Sequence, residues 1–280
     1  MGAIDDATGE VPYALFREQE DAQGYLLLLR EVVCRRGIPL ALYTDRHGIF
    51  QRGARERETL EEQLAGRREP TQVGRVLAEL GISSILARSP QAKGRIERLW
   101  GTLQDRLVTE LRLAGASTLE EANRVLRDFL PRFNLRFRRP AEKEGPAYRQ
   151  PSPGFDPDAC FSFKYRRTVS NDNLVRLDGH IIPIPPGQPA RSYAGRRVEV
   201  QERLYGSLVV CYQGRCIAKE APALAGPLRA RARRLGQQEE KGQPWPATRP
   251  VTAPKEKGQA RRPAADHPWR KVRVTKSQST

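Results

Sequence analysis

The sequence of 280 residues has only four cysteines and three histidines, the residues on which disulfide frameworks and zinc sites depend. Its three histidines are far apart, and its four cysteines include no CxxC pair. These spacings exclude the common zinc motifs and favour reduced thiols in a cytosolic protein. No apolar run approaches the roughly 20 residues of a membrane helix, and no secretory signal follows Met1. We therefore expect a cytoplasmic protein without a membrane partner.

Positive charge is what the sequence has in excess. Lys and Arg number 49 against 33 Asp and Glu, for a net charge of +16 and a pI of about 10.2. This balance favours a polyanionic partner, most often nucleic acid. The charge is uneven, since residues 226–280 hold 14 Lys and Arg against 4 Asp and Glu in a Pro-rich segment. We expect residues 223–280 to form a disordered basic tail.

The pattern of residues 1–137 predicts an α/β region. Turn residues from Asp5 to Gly9 separate two short apolar runs and predict a hairpin over residues 1–16. Helical spacing predicts helices over 18–36, 71–80 and 117–137, the last interrupted or ended near Pro131. Apolar runs predict a buried strand over 39–44 and another short strand over 84–87. The Arg- and Glu-rich segment 51–68 is expected to be a solvated insertion with some helix.

The second half of the chain predicts a different architecture. Residues 138–158 are rich in Pro and charge and are interpreted as a linker. Residues 159–222 predict a small all-β domain with turns at Asp178-Gly179 and Gln213-Gly214. Its five short strands are expected at 174–177, 181–184, 197–201, 208–212 and 216–218.

Two motifs carry candidate chemistry. Residues 42–50 predict an apolar strand with Asp45 at its end. Residues 89–99 predict the start of a helix that carries Glu97 on its second turn. Gly94 and Gly101 lie at i−3 and i+4 from Glu97, which leaves its face small and open. The helix is expected to bury a stripe of Ile96, Leu99, Trp100, Leu103, Leu107 and Leu111. Two such carboxylates could ligate Mg²⁺ or Mn²⁺. Alternatively, Asp45 only begins a turn and Glu97 pairs with Lys93.

In this order, the two motifs resemble the second and third acidic positions of DDE transposases and retroviral-type integrases. Bacterial insertion-sequence transposases are the closest likeness, over most of residues 1–225. The resemblance implies an RNase H-like mixed sheet flanked by helices in residues 1–137, as in an integrase catalytic core. Residues 159–222 resemble the small SH3-like barrel of Mu-type transposases and are expected to bind DNA.

The activity that this resemblance implies is DNA integration and transposition, a form of DNA recombination, by metal-dependent phosphoryl transfer. Asp45 and Glu97 would be the catalytic residues and the ligands of Mg²⁺ or Mn²⁺ in a two-metal site. In the family the first catalytic Asp lies on a strand before the hairpin. We expect that strand to be missing here and the truncated chain to be inactive alone. Asp5 and Asp6 are the nearby substitutes, although a hairpin turn favours a structural role.

The implied partners are transposon ends and target DNA, in a homo-multimer or in co-assembly with a full-length transposase in the bacterial nucleoid. Candidate phosphate contacts, with a merely solvated basic surface as the alternative, are Lys93, Arg95, Arg98, Arg196 and Arg197. A second hypothesis is a non-catalytic DNA-binding remnant that competes with, or co-assembles into, a full-length transposase complex. A third, a general RNA-binding or ribosomal protein, explains the charge and leaves the acidic motifs unexplained.

Overall fold

The computed structural model describes residues 1–44, 48–52, 58, 60–66, 68–86, 90–143, 145–187 and 192–220. All of them lie in one compact unit. The helices of this part are α1 Ala22–Arg36, α2 Leu60–Ala65, α3 Gln72–Glu79, α4 Pro90–Leu113, α5 Leu119–Phe137 and α6 Pro157–Cys160. None of these helices combines the length and the hydropathy of a membrane span.

The strands of the described residues are short and form five separate sheets. In the first 150 residues they are β1 Gly2–Ala3, β2 Tyr13–Ala14, β3 Ile38–Pro39, β4 Ala41–Thr44, β5 Ser83–Leu86 and β6 Tyr148–Arg149. After residue 160 they are β7 Phe163–Thr168, β8 Leu174–Leu177, β9 His180–Pro183, β10 Arg197–Glu202, β11 Leu208–Tyr212 and β12 Arg215–Glu220. The described fold is therefore a mixed α/β arrangement followed by a β-rich part.

The N-terminal hairpin is present as the sequence predicts. Strands β1 and β2 pair antiparallel, with Gly2 opposite Ala14. The carboxylate of Asp5 holds the turn, because its Oδ1 accepts hydrogen bonds from the backbone N–H groups of Ala7 and Thr8, at 2.9 and 3.1 Å. An Asp side chain that satisfies the donors two and three residues ahead is a common way to fix a turn. Asp5 thus has a structural role.

Helix α1 begins four residues later than the spacing predicts. Asp21 has an extended backbone, with φ of −144°, and its Oδ1 accepts a hydrogen bond from the backbone N–H of Gly24 at 2.7 Å. Such a residue caps a helix and cannot lie inside one, so the helix starts at Ala22. Gly37 ends it with a φ of +99°, a conformation that favours glycine.

Strands β4 and β5 form a parallel pair, with Thr44 opposite Leu86. Helix α3 lies between them in sequence. The helix predicted over 71–80 is present as Gln72–Glu79, and Thr71 is its N-cap residue. The expectation that β4 is buried is wrong. Tyr43 and Ile85 are register partners and are 59% and 38% exposed. Within the described residues β4 and β5 make a two-stranded sheet, in which Leu42 packs against the core and Thr44 is buried while Tyr43 is exposed.

Helices α4 and α5 pack together with the N-terminal hairpin. Their shared apolar cluster, the helical core, consists of Val11, Ala14, Leu103, Leu107, Leu126, Phe129, Leu130 and Phe133. Thr118 caps α5 in a capping box with Glu121. Contrary to expectation, Pro131 lies inside α5 and does not end the helix. Leu130 and Phe133, on either side of it, are both buried in the helical core, and that packing offsets the missing backbone hydrogen bond.

The β-rich part has a four-stranded antiparallel sheet in the order β12, β11, β10, β7, and a separate hairpin of β8 and β9. Both contribute to one cluster, the β core, formed by Val169, Val175, Leu177, Ile182, Ile184, Val198, Val200, Leu208 and Val210. The predicted strands are present, with ends shifted by one or two residues, and β7 is a strand that the sequence pattern did not predict. Its alternation of Phe163 and Tyr165 with charged residues was the available signal.

The predicted domain boundaries, which separate residues 1–137, 138–158 and 159–222, stay a prediction. Contacts between side chains and between strands cross these boundaries. Phe161 and Phe163 are buried in a cluster with Leu26 of α1 and Val76 of α3. The segment interpreted as a linker contains β6, which pairs with β3. The side-chain amide of Gln72 also exchanges two hydrogen bonds with the backbone of Lys164, at 2.9 and 3.0 Å. Residues 223–280, the predicted tail, lie outside the described residues.

Candidate functional site

The parallel register of β4 and β5 defines the scaffold of the candidate site. In a parallel pair both strands end at the same edge. Thr44 and Leu86 are the last residues of the two strands and lie opposite each other. The chain leaves Thr44 toward Asp45 and leaves Leu86 toward α4, which carries Glu97. The chain segments that lead to the two candidate carboxylates therefore both leave the strand pair at the same edge.

Asp45 itself, with Arg46 and His47, lies outside the described residues. The structure describes the residue before it. The side chain of Thr44 is 5% exposed, and its Oγ1 has no hydrogen-bond partner among the described residues. A buried hydroxyl without a partner costs roughly 1 to 3 kcal/mol, so such groups usually have a reason for their place. Thr44 directly precedes the candidate residue Asp45 in the sequence.

Glu97 lies on α4 with an exposed side chain. Leu99, Trp100 and Leu103 of the same helix pack in or against the helical core. A Cβ atom added at Gly94 or Gly101 would meet no heavy atom within 4 Å outside its chain neighbours and the backbone of the helix. The Glu97 carboxylate is thus flanked by open space along its helix face, as the sequence predicts.

The predicted buried stripe of α4 is wrong at one position. Ile96 is 40% exposed, whereas Leu103 and Leu107 are buried in the helical core. The core reaches along α4 from Leu111 only as far as Leu99. Ile96 lies one turn nearer the start of the helix, where the helical core no longer covers it. Ile96, Glu97 and Arg98 are therefore exposed beyond the end of the helical core.

One carboxylate of the predicted metal pair lies among the described residues. Glu97 provides an oxygen donor of the type that Mg²⁺ and Mn²⁺ prefer. Within that same part of the chain, no group of three or more His, Cys, Asp and Glu side chains could hold a metal ion. Asp45 lies outside this set, so the predicted pair stays a prediction. Asp5 is committed to its turn and also accepts a hydrogen bond from the Tyr148 hydroxyl at 3.3 Å.

The candidate phosphate contacts differ in their surroundings. Arg98, Arg196 and Arg197 have exposed side chains. Lys93 and Arg95 lie on α4, but their side chains are outside the described set. Arg197 begins β10 opposite Thr168 of β7, next to Arg196, so two guanidinium groups come from one end of the four-stranded sheet. Adjacent exposed cations of this kind suit contacts with a phosphate backbone.

Lys164, a basic residue of β7, forms ion pairs with other parts of the chain. Its side chain is 15% exposed, and its Nζ lies 3.0 Å from Glu79 Oε1 and 3.9 Å from Glu199 Oε1. Its backbone N–H donates to Gln72. Lys164 therefore joins the four-stranded sheet to α3. A charged residue in sequence gives no sign of whether its partner is solvent, DNA or another part of the chain.

Comparisons with known proteins place the chain among relatives named transposases. It is 31% identical over 214 residues to a protein provisionally named transposase y4bF from Sinorhizobium fredii, a match that covers 75% of this chain and 45% of the relative. It is 39% identical over 135 residues to the transposase for insertion sequence IS1202 from Streptococcus pneumoniae, covering 48% of this chain and 28% of the relative. No protein-family model matches the chain.

The similarity supports an insertion-sequence transposase as the class to which this chain is related. The chain spans less than half the length of either relative.

Proposed function

We propose that this chain provides part of the catalytic region of an insertion-sequence transposase of the DDE type. The observation that carries the proposal is the similarity to two transposases, combined with a parallel strand pair in which β4 leads to Asp45 and β5 leads to the helix of Glu97 from the same edge. An RNase H-like arrangement in residues 1–137 and a DNA-binding barrel in residues 159–222 belong to the proposal.

In this proposal the carboxylates of Asp45 and Glu97 hold Mg²⁺ or Mn²⁺ beside a DNA phosphodiester. When bound, such ions stabilise the charge that develops on the attacking and leaving oxygens. Glu97 is suited to this role because its carboxylate is exposed and lies between two glycines with open space. The exposed guanidinium of Arg98 would contact the phosphate backbone next to it.

Residues 1–280 by themselves are proposed to be inactive or very slow. Asp5 is one of the two nearby candidate substitutes, with Asp6, and its oxygens accept hydrogen bonds within the turn and from Tyr148. A site with two carboxylates in place of three loses a ligand that both ions share. A loss of several kcal/mol in transition-state stabilisation lowers a rate by several orders of magnitude. A third carboxylate would have to come from a longer chain or from a full-length transposase in the same complex.

Metal binding and DNA cleavage test the proposal together. Mn²⁺ binding by the chain would be followed by calorimetry, and cleavage of a labelled transposon end would be followed in Mn²⁺. Asp45→Asn and Glu97→Gln should each weaken Mn²⁺ binding at least tenfold and abolish any residual cleavage. Asp105→Asn, which changes an exposed carboxylate on the same helix, is the matched control. Equal Mn²⁺ affinity in all four proteins would remove Asp45 and Glu97 from the proposed site.

The second candidate is a DNA-binding remnant without catalysis that competes with, or joins, a full-length transposase. The exposed pair Arg196 and Arg197 favours it, because DNA contact there needs no metal site. In this case Glu97→Gln would inhibit a full-length transposase as strongly as the parent chain does. Under the first proposal, inhibition by the parent chain and by Glu97→Gln would differ. Either candidate function also includes three proposals. They are assembly into a homo-multimer, co-assembly with a full-length transposase, and location at the nucleoid.

A further inference from the structure

The hairpin of β11 and β12 determines which side chains face each other near its end. Its turn residues are Gln213 and Gly214, with φ of +51° and +78°. Positive φ at both positions defines a type I′ turn, which joins strands with two loop residues. Tyr212 and Arg215 flank the turn and are opposite each other. In such a hairpin the flanking pair exchanges both backbone hydrogen bonds, and the next pair outward exchanges none.

That next pair is Cys211 and Cys216. Side chains of opposite residues lie on the same face of a sheet, and Cα atoms of a pair without mutual hydrogen bonds are about 4.5 Å apart. A disulfide requires Cα atoms roughly 4.4 to 6.8 Å apart. The register irregularity between Val210 and Cys211 lies on the side away from the turn. It therefore leaves the Cys211–Cys216 pairing intact.

The surroundings of the two thiols differ. Cys216 is exposed, and its Sγ donates a weak hydrogen bond to the backbone O of Ala218 at 3.7 Å. Cys211 is half-buried, and burial first, then the neighbouring Cys216, raises the pKa of its thiol. The influence of Cys216 on that pKa agrees with the short separation that the register requires. All four cysteines of the chain are free thiols.

The other two cysteines provide a comparison within the same chain. Cys34 is exposed near the end of α1, and Cys160 is buried at the end of α6. Neither lies in a strand, so neither has a cross-strand partner of its own. Reactivity that depends only on exposure would affect Cys34 and Cys216 alike. Reactivity that depends on pairing would affect Cys211 and Cys216 together.

We propose that Cys211 and Cys216 form a redox-sensitive thiol pair that a low-molecular-weight disulfide converts to a cross-strand disulfide. The exposed Cys216 thiolate attacks the small disulfide, forms a mixed disulfide and releases one small thiol. The Cys211 thiolate then attacks the Sγ of Cys216 and releases the second small thiol. The two cysteines lose two protons and two electrons, and the small disulfide is reduced to two thiols.

This bond would close a ring around the two-residue turn and join edge strand β12 to β11 near their connected ends. A ring this short removes less entropy from the unfolded chain than a bond across a longer loop, so its effect on global stability should be at the low end of the range for disulfides. Its effect would be local, on fraying of the edge strand that precedes residues 221–280. The proposal is independent of the proposed transposase function.

The full chain, reduced and freed of reductant, would be incubated with oxidised glutathione and unfolded for thiol counting and mass spectrometry. We expect the free thiols to fall from four to two, without retained glutathione, and a peptide map to join Cys211 to Cys216. Cys34→Ser should still lose two thiols. Cys211→Ser should instead retain glutathione on Cys216, and Cys216→Ser should not form the bond.

Three results would overturn the proposal, and they need no variant. They are four free thiols after incubation, a lasting glutathione adduct on Cys216 of the parent chain, or a disulfide between two copies of the chain. Cys34→Ser, unlike the hairpin variants, leaves the sheet unaltered and controls for general oxidation.

Discussion

The side-chain amide of Asn134 pairs with the backbone of Val11 in both directions. The Val11 N–H donates to Asn134 Oδ1, and Asn134 Nδ2 donates to the Val11 carbonyl, each at 2.9 Å. Both groups are buried. The pairing joins α5 to the N-terminal hairpin across 123 residues of sequence, and it satisfies backbone groups that no strand of the described residues reaches.

Asn134→Asp tests this pairing with almost no change in volume. The variant keeps an acceptor for the Val11 N–H but loses the donor to the Val11 carbonyl and buries a carboxylate. We expect the free energy of unfolding to fall by about 2 to 3 kcal/mol, the cost of leaving a buried polar group unpaired. Urea unfolding followed by circular dichroism measures it. Asn171→Asp, at an exposed turn position, should change stability little; equal losses at both sites would contradict the assignment.

Glu121 should make the stability of α5 depend on acid. Hydrogen bonds from the backbone N–H groups of Ser117 and Thr118, then from their hydroxyls, lower the pKa of Glu121 from 4.5 to about 2. A lowered pKa stabilises the folded state above pH 4.5, and this contribution is lost as the pH falls toward 2. Glu121→Gln should flatten that part of the stability profile.

The measurement for Glu121 is the urea midpoint at a series of acidic pH values. Glu120→Gln, in the same first turn of α5, is the matched control and should leave the slope as it is in the parent chain. A slope that survives in Glu121→Gln would mean that other carboxylates produce it.

Tyr148 should make the fold sensitive to alkali. Burial, followed by the charge of Asp5 and their hydrogen bond, raises the pKa of Tyr148 from 10 to about 12. A raised pKa stabilises the folded state below pH 10, and the contribution is lost as the pH rises through 12. Because Tyr148 is only half-buried, we expect about 1 kcal/mol after allowance for solvent screening.

Tyr148→Phe should remove this alkaline dependence, measured as the free energy of unfolding between pH 9 and about 12. Tyr205→Phe, at an exposed position, should keep it. Absorbance of the tyrosinate ion should show one ionisation at about pH 12 in the parent chain that Tyr148→Phe lacks. Loss of the dependence in both variants would assign it elsewhere.

Arg196 and Arg197 test the DNA-binding part of the proposed function. Replacing both with Ala should lower the slope of log affinity against log salt by about 0.9 for each DNA phosphate that their guanidinium groups neutralise. Binding to a duplex, measured by fluorescence anisotropy over a range of salt, gives the slope. Arg176→Ala, at an exposed position of β8, is the control. An unchanged slope in the double variant would mean that these two side chains face solvent when DNA is bound.

The sequence by itself determined the features that depend on neighbours along the chain. The turns at Asp178-Gly179 and Gln213-Gly214, the cap at Thr118 and the glycine that ends α1 follow from local backbone preferences. Such preferences act within four residues, so they can be read without knowledge of the fold. Open space around Glu97 was predictable for the same reason, since it depends on glycines one turn away.

The tertiary structure alone decided which side chains have partners far away in sequence. Pro131 lies inside α5 because the helical core packs on both sides of it, and Lys164 is bound to Glu79 and not free for DNA. Exposure of Tyr43 depends on which layers cover the β4–β5 pair. Asn134 finds Val11 only when hairpin and helix meet. These outcomes depend on packing between distant segments, whose free energy no local pattern contains.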